Sequence, residues 1–152
     1  MTQGIFFEPG EGMALSARGS LMLFKAVAET TDGACSLMER TLPVSNRRPQ
    51  PHTHEGPEGF YVLEGQIEFV VGGESRVGGS GFWALVPSGI SHTFGNVGDA
   101  PARLLIIHAP AAEAYFVELQ ELWSRAEPPT PEEERSLMRR HGLEPVEPES
   151  SG

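Results

Sequence analysis

The sequence predicts an all-β sandwich or barrel that carries a helical extension at its C-terminal end. Three observations lead there. The 152 residues include 18 Gly and 13 Pro, too many turn formers for a helical bundle, yet 39% are apolar and eight are Phe, enough for a core. From Gly4 to Pro110, short apolar runs alternate with Gly, Pro and Asn turn signals, without the strand-helix-strand rhythm of a parallel sheet. After Pro110 the apolar residues recur at helical spacing. The expected organisation is a β-barrel over residues 1–110, then a helical extension with a mobile acidic tail over residues 111–152.

The candidate strands are, in order, Ile5 to Glu8, Ser20 to Glu29, Ala34 to Leu42, Gly59 to Leu63, Gln66 to Val71, Phe82 to Val86, His92 to Phe94 and Arg103 to Ala109. The steps Gly72-Gly73, Gly78-Gly79 and Gly98-Asp99 separate several of them as turns. In Ala112 to Arg125, the residues Tyr115, Phe116, Leu119, Leu122 and Trp123 form an apolar stripe beside Glu113, Glu118 and Glu121, the pattern of an amphipathic helix packed on the barrel. The run Glu127 to Pro131 ends that helix. Thr130, Pro131 and Glu133 then make a capping box that opens a second helix through about His141, with Gly142 as its stop. Residues 144–152, rich in Pro, Glu and Ser, are expected to be mobile.

Eleven basic residues against 21 acidic ones leave a net charge of −10. With only Arg47-Arg48 and Arg139-Arg140 as basic pairs, the chain offers no patch for nucleic acid or an anionic membrane, and neither is expected as a partner. Residues 111–152 hold ten acids and four bases, so the extension carries more than half of the net charge and the acidity says little about a substrate. The single cysteine, Cys35, cannot form an internal disulfide, and its apolar surroundings suggest a buried structural thiol. No run approaches the ~18 apolar residues of a membrane span, and residues 1–4 lack the pattern of a secretory signal. A cytoplasmic protein is expected. Ten Arg against one Lys hint at a GC-rich bacterial genome.

The stretch that carries chemistry is Pro51-His52-Thr53-His54-Glu55-Gly56-Pro57-Glu58. In an extended segment His52 and His54 project to one side, and after the Gly56-Pro57 turn Glu58 can converge on them at the start of a strand. Two imidazoles and a carboxylate suit a divalent transition metal rather than a soft thiolate site. His92 is the candidate for a third imidazole. It sits in Gly81-x5-Pro87-x-Gly89-x2-His92-x3-Asn96.

These two segments resemble the signature motifs of the cupin superfamily. His52, His54, Glu58 and Gly65 fall at the intervals of the first motif, G-x5-H-x-H-x(3,4)-E-x6-G, with Asn46 in place of its leading glycine. Gly81, Pro87, Gly89, His92 and Asn96 match the second in full, and 15 residues, 66–80, separate the two. The resemblance covers about residues 20–110. It implies a single cupin jelly-roll barrel, with His52, His54, Glu58 and His92 as the ligands of one divalent transition metal, whether Fe, Mn, Ni, Cu or Zn. The Gly10-Glu11-Gly12 opening and the helical extension also look like bacterial quercetin-dioxygenase-like monocupins. That narrower likeness implies a dioxygenase, an oxidoreductase acting on an enol, aromatic or polyketide-like small molecule, with Glu58 as general base. Two alternatives use the same ligands. One is a non-redox isomerase or polyketide cyclase, and the other a small-molecule-binding module without turnover.

By strand alternation Phe60 and Val62 share the face of Glu58, and Phe94 that of His92, so these three either line the substrate pocket or fill the barrel core. His108 joins them as a pocket candidate, or as a core histidine that supports a ligand. Arg40 and Arg48 precede the first motif and could meet an acidic substrate at the barrel mouth, although the solvated surface is the favoured expectation for each. Jelly-roll edges need covering, and Ile5-Phe6-Phe7 as an apolar strand suggests pairing with a second copy, hence a homodimer.

Overall fold

The computed structural model describes residues 3–44 and 47–146. Asn46 and residues 147–152 of the acidic tail therefore lie outside the described residues. The strands are β1 (Met13–Ala17), β2 (Ser20–Ala26), β3 (Ser36–Leu42), β4 (His52–Thr53), β5 (Glu58–Glu64), β6 (Ile67–Val71), β7 (Glu74–Gly78), β8 (Trp83–Val86), β9 (His92–Asn96), β10 (Ala102–His108) and β11 (Glu144–Pro145). A short α1 (Ala28–Thr31) links β2 to β3, and α2 (Glu113–Trp123) and α3 (Pro131–Arg140) follow the barrel. The strands form two antiparallel sheets, ordered β1-β2-β3-β10-β5-β8 and β11-β4-β9-β6-β7. This is the all-β jelly-roll architecture expected from the sequence, with its C-terminal helices.

Alternation decides what each sheet turns inward. Across β3, β10 and β5 the register aligns Ser36, His108 and Glu58 in one row, Met38, Ile106 and Phe60 in the next, and Arg40, Leu104 and Val62 in a third. All nine are buried. The middle row and the facing rings of the smaller sheet form the apolar centre, where Phe60 packs 5.3 Å from Phe69 and 5.1 Å from Phe94, ring centre to ring centre. Burying each such ring contributes about 2–3 kcal/mol. The end of this core is polar, and there the chemistry gathers.

Some strands differ from the expectation. Residues 5–8 form no strand, and Phe6 is 93% exposed. An unforeseen strand, β1, pairs with β2 and is joined to it by the two-residue turn Arg18-Gly19 with φ of 54° and 75°. Both central residues of such a turn need positive φ, and Arg-Gly is a poor signal for it beside Asn-Gly. Strand β7 pairs with β6 across Gly72-Gly73 but exposes four of its five residues, so no apolar alternation marks it. Cys35 is half-buried rather than buried.

The helices follow their sequence signals closely. Thr130 Oγ1 accepts from the Glu133 N–H at 3.1 Å, and Glu133 Oε1 accepts from the Thr130 N–H at 3.0 Å, completing the capping box. Gly142, at φ 79°, ends α3 while the Leu143 N–H returns to the Met138 carbonyl at 2.9 Å. Helix α2 buries Tyr115, Phe116 and Leu119, with Phe116 5.9 Å from Phe24 of β2. The expectation of a free tail from residue 144 fails at its first step. Glu144 and Pro145 pair with Thr53 and His52 of β4, so the chain returns from α3 to the sheet beside the histidine cluster. Among the described residues no helix is long and apolar enough to cross a membrane.

Candidate metal centre

Strand β4 is only two residues long, and its one pairing with β9 sets His52 directly opposite His92. Their rings lie 4.4 Å apart, centre to centre, and the ring of His54 lies 5.0 Å from that of His92. Gly56, at φ 83°, turns the chain into β5, whose first residue is Glu58. A side chain at Gly56 would run into the Ala109 carbonyl, so only glycine permits this turn. His52, His54, Glu58 and His92 each offer one ligand atom, all within 4.8 Å of one another.

The surroundings orient these atoms. The Nδ1–H groups of His52 and His92 donate to the carbonyls of Gln50 at 2.7 Å and Ile90 at 2.9 Å, which leaves both Nε2 atoms facing the cluster. Glu58 Oε1 lies 3.0 Å from His54 Nε2 and 3.0 Å from His92 Nε2. Its other oxygen, Oε2, lies 3.1 Å from His108 Nε2. Three imidazoles held by one nitrogen each, converging with one buried carboxylate, fit a divalent transition metal with positions left open.

The charges respond as expected for a cluster withdrawn from water. Burial and the neighbouring His92 push the pKa of His52 down to about 4. Burial also works to raise the Glu58 carboxyl, but the charge of His108 and hydrogen bonds from His108, His54 and His92 hold it well below the usual carboxylate range. For His54 burial works downward, and the Glu58 carboxylate overrides it, so its pKa is raised. A Glu58 carboxylate kept ionised and a His52 imidazole kept neutral are the donor states a cation requires.

The cluster borders a cavity of about 170 Å³. An apolar cavity of about 150 Å³ holds benzene, so this space suits one ring-sized molecule. Phe94 and His108 line it, whereas Phe60 and Val62 do not and lie in the core at 1% and 0% exposure. Arg48 is on the surface, paired with Glu68 at 2.8 Å. Arg40 is not. It is 3% exposed and lines the cavity, its guanidinium 5.3 Å from the centre of the Phe94 ring. The even positions of β3 run Ser36, Met38, Arg40, Leu42, all buried, and that alternation is the signal that should have turned Arg40 inward.

Residues outside the barrel motifs complete the wall. Tyr115 and Phe116 of α2 and His141 and Leu143 after α3 line the cavity, as does Arg18 from the β1–β2 turn. The Phe116 ring lies 5.6 Å from that of His108. Burial raises the pKa of the Tyr115 hydroxyl and keeps it a donor. Glu134 of α3 is buried, accepting from Arg18 Nε at 3.3 Å and from Trp123 Nε1 at 2.5 Å. None of Arg18, Tyr115 and Glu134 carries a local motif, and sequence reasoning missed all three as parts of the site.

The family pattern described as "Cupin domain" matches residues 38–108. No curated protein matches the chain. Among solved structures, KdgF from Halomonas sp. superposes with a TM-score of 0.62 at 18% identity, covering 74% of this chain and 98% of that one. A predicted oxalate decarboxylase from Thermotoga maritima gives 0.58 at 23% identity, covering 66% and 92%. The polyketide cyclase RemF from Streptomyces resistomycificus gives 0.54 at 22% identity, covering 66% and 69%. At these identities the likeness is one of fold. With both motifs in place on that fold and the family pattern spanning β3 to β10, the chain belongs to the cupin superfamily.

Proposed function

We propose that this cupin is a metal-dependent, dioxygenase-like enzyme acting on a small enol or aromatic molecule. One observation carries the proposal: a three-histidine, one-carboxylate cluster borders a partly open, ring-sized cavity with Phe94 and Phe116 in its walls. Metal bound there supplies Lewis acidity and, where it is redox-active, electrons for oxygen chemistry. His52, His54, Glu58 and His92 would hold it. Glu58 has a further role available, because a carboxylate oxygen facing the cavity can take a proton from a substrate hydroxyl as a general base. His108, at 3.1 Å from Oε2, positions that carboxylate. The rings of Phe94 and Phe116 offer apolar faces that favour a flat substrate.

A non-redox isomerase or cyclase would use the same ligands, and the similar fold of a protein described as a polyketide cyclase keeps it as the second reading. Elemental analysis of protein purified with and without air, combined with an oxygen electrode, separates the two. Bound iron, manganese, nickel or copper with substrate-dependent oxygen uptake is the expected result. Zinc alone with no uptake favours the cyclase, and a saturable ligand without product favours a binding module.

The homodimer is proposed on different grounds. Tyr61, Trp83, Leu85 and Ile107 are large exposed apolar residues on β5, β8 and β10, with β8 at the edge of its sheet, a surface that a second copy would cover. Light scattering at micromolar concentration should report a dimer. A monomer would refute it.

A further inference from the structure

Arg40 is the feature that the metal reading leaves unused. A guanidinium at 3% exposure is rarely buried without a carboxylate partner. Among the described residues it has no ion pair, and its one hydrogen bond runs from Nε to Ser20 Oγ at 2.9 Å. Its two terminal nitrogens remain available, and Arg40 lies in the wall of the same cavity as Glu58. The forked end of a guanidinium presents two parallel N–H groups that match a carboxylate.

Arg18 strengthens the case. Its side chain enters the same cavity, yet Glu134 offsets its charge. Burial, followed by the charge of Arg18, lowers the pKa of Arg40 to about 9, which shows how poorly its charge is compensated in the free protein. Tyr115 and Glu58 offset this in part, but neither pairs with the guanidinium, and a bound anion would relieve the charge that remains.

We propose that the substrate carries a carboxylate, received by the terminal nitrogens of Arg40 with Arg18 and the Tyr115 hydroxyl beside it, while its reacting end faces the His52, His54, Glu58 and His92 cluster. This rests on the metal-site reading for the reacting end, but the anion preference stands on Arg40. The cavity volume accommodates about one ring with its carboxylate. Anchoring one end fixes which atoms reach the cluster, so Arg40 would set specificity and orientation.

The test measures two pairs of probes by calorimetry. On metal-loaded protein, 3,4-dihydroxybenzoate is compared with catechol, since both offer a metal-binding diol and only the first has a carboxylate. On EDTA-treated protein, benzoate is compared with benzamide. Both comparisons should favour the carboxylate by about tenfold, the worth of one charge-assisted hydrogen-bonded contact. Arg40→Gln should bring both ratios to about one with metal content retained, and Arg40→Lys should keep part of each. Arg40→Met serves if the glutamine variant does not fold, because it preserves packing while removing the charge. Wild-type ratios near one, or ratios that survive Arg40→Gln and Arg40→Met, overturn the proposal. Failure of the metal reading looks different: no bound metal and no catechol binding, with the benzoate preference still reporting on Arg40.

Discussion

One group at the cavity is the cluster of His52, His54, Glu58 and His92, carried by β4, β5, β9 and the turn between β4 and β5, with all but His92 in the cavity lining. The other is Arg18, Arg40 and Tyr115, carried by a tight turn, by β3 and by α2. The first group comes from two short motifs whose spacing reflects local strand geometry. The second has no motif, because its members meet only when α2 and α3 fold back over β1 to β3. The difference teaches that one group, compatible with a divalent metal, is encoded locally, while the other joins two guanidiniums of the barrel to Tyr115 of the extension. It also predicts that the two walls fail separately.

The largest effect should come from the metal wall. His52→Ala or His92→Ala should reduce bound metal from about one equivalent to near zero by elemental analysis, with the circular dichroism of the barrel and helices retained. Unchanged metal content would show that the ligands are misassigned.

On the other wall, Glu134→Ala strands the Arg18 guanidinium and removes the acceptor of Trp123 Nε1. Breaking a buried ion pair from one side costs about 3–4 kcal/mol, measurable as a lower guanidinium midpoint. Metal content should stay near wild type. If Glu134→Ala strips the metal as fully as His92→Ala does, the two walls form one cooperative unit and the comparison breaks.

Acid should weaken the metal wall first. In EDTA-treated protein His52 has a folded pKa of about 4, below its ordinary 6.5, so the unfolded chain binds the proton more readily. Its contribution is complete above pH 6.5 and disappears as pH falls toward 4, amounting to up to about 3 kcal/mol. Glu58, also depressed, adds a loss of the same sign below its ordinary 4.5. His54 is raised and acts oppositely, its contribution fading as pH climbs through its folded value. Denaturant midpoints at pH 7.5 and pH 5 should therefore differ in favour of pH 7.5, and His52→Ala should shrink that difference. An equal loss in the variant would place the acid sensitivity elsewhere.

The smallest effect tests the extension alone. Thr130→Ala removes the cap of α3 and should lower stability by about 1 kcal/mol. Cavity ligands should then weaken only through that loosening, and a complete loss of binding would mean that α3 governs access directly.

Particular residues show how much of this was legible. The helix over Glu113–Trp123 and the capping box at Thr130 were readable because 3.6-residue periodicity and capping hydrogen bonds are local properties of the chain. Strands β1 and β7 were not, because one depends on an Arg-Gly turn and the other on a polar edge. Phe60, Val62 and Phe94 share the barrel's interior, but only Phe94 reaches the cavity, since alternation gives a face and not a depth. His108 was a candidate on pattern alone; its place on Glu58 follows from the row that aligns Ser36, His108 and Glu58.

By itself the sequence determined the jelly-roll class, the two helices and the four convergent metal-ligand candidates, because short-range periodicity and motif spacing act within a few residues. Tertiary structure alone decided that the acidic extension lines the cavity, that Glu144 and Pro145 return to the strand of His52, and that Arg18 and Tyr115 meet in the cavity that Arg40 lines. Those outcomes depend on contacts between residues far apart in the chain. Alternation along β3 turns Arg40 inward, and the packing of α2 on β1 brings Tyr115 and Arg18 to the same cavity.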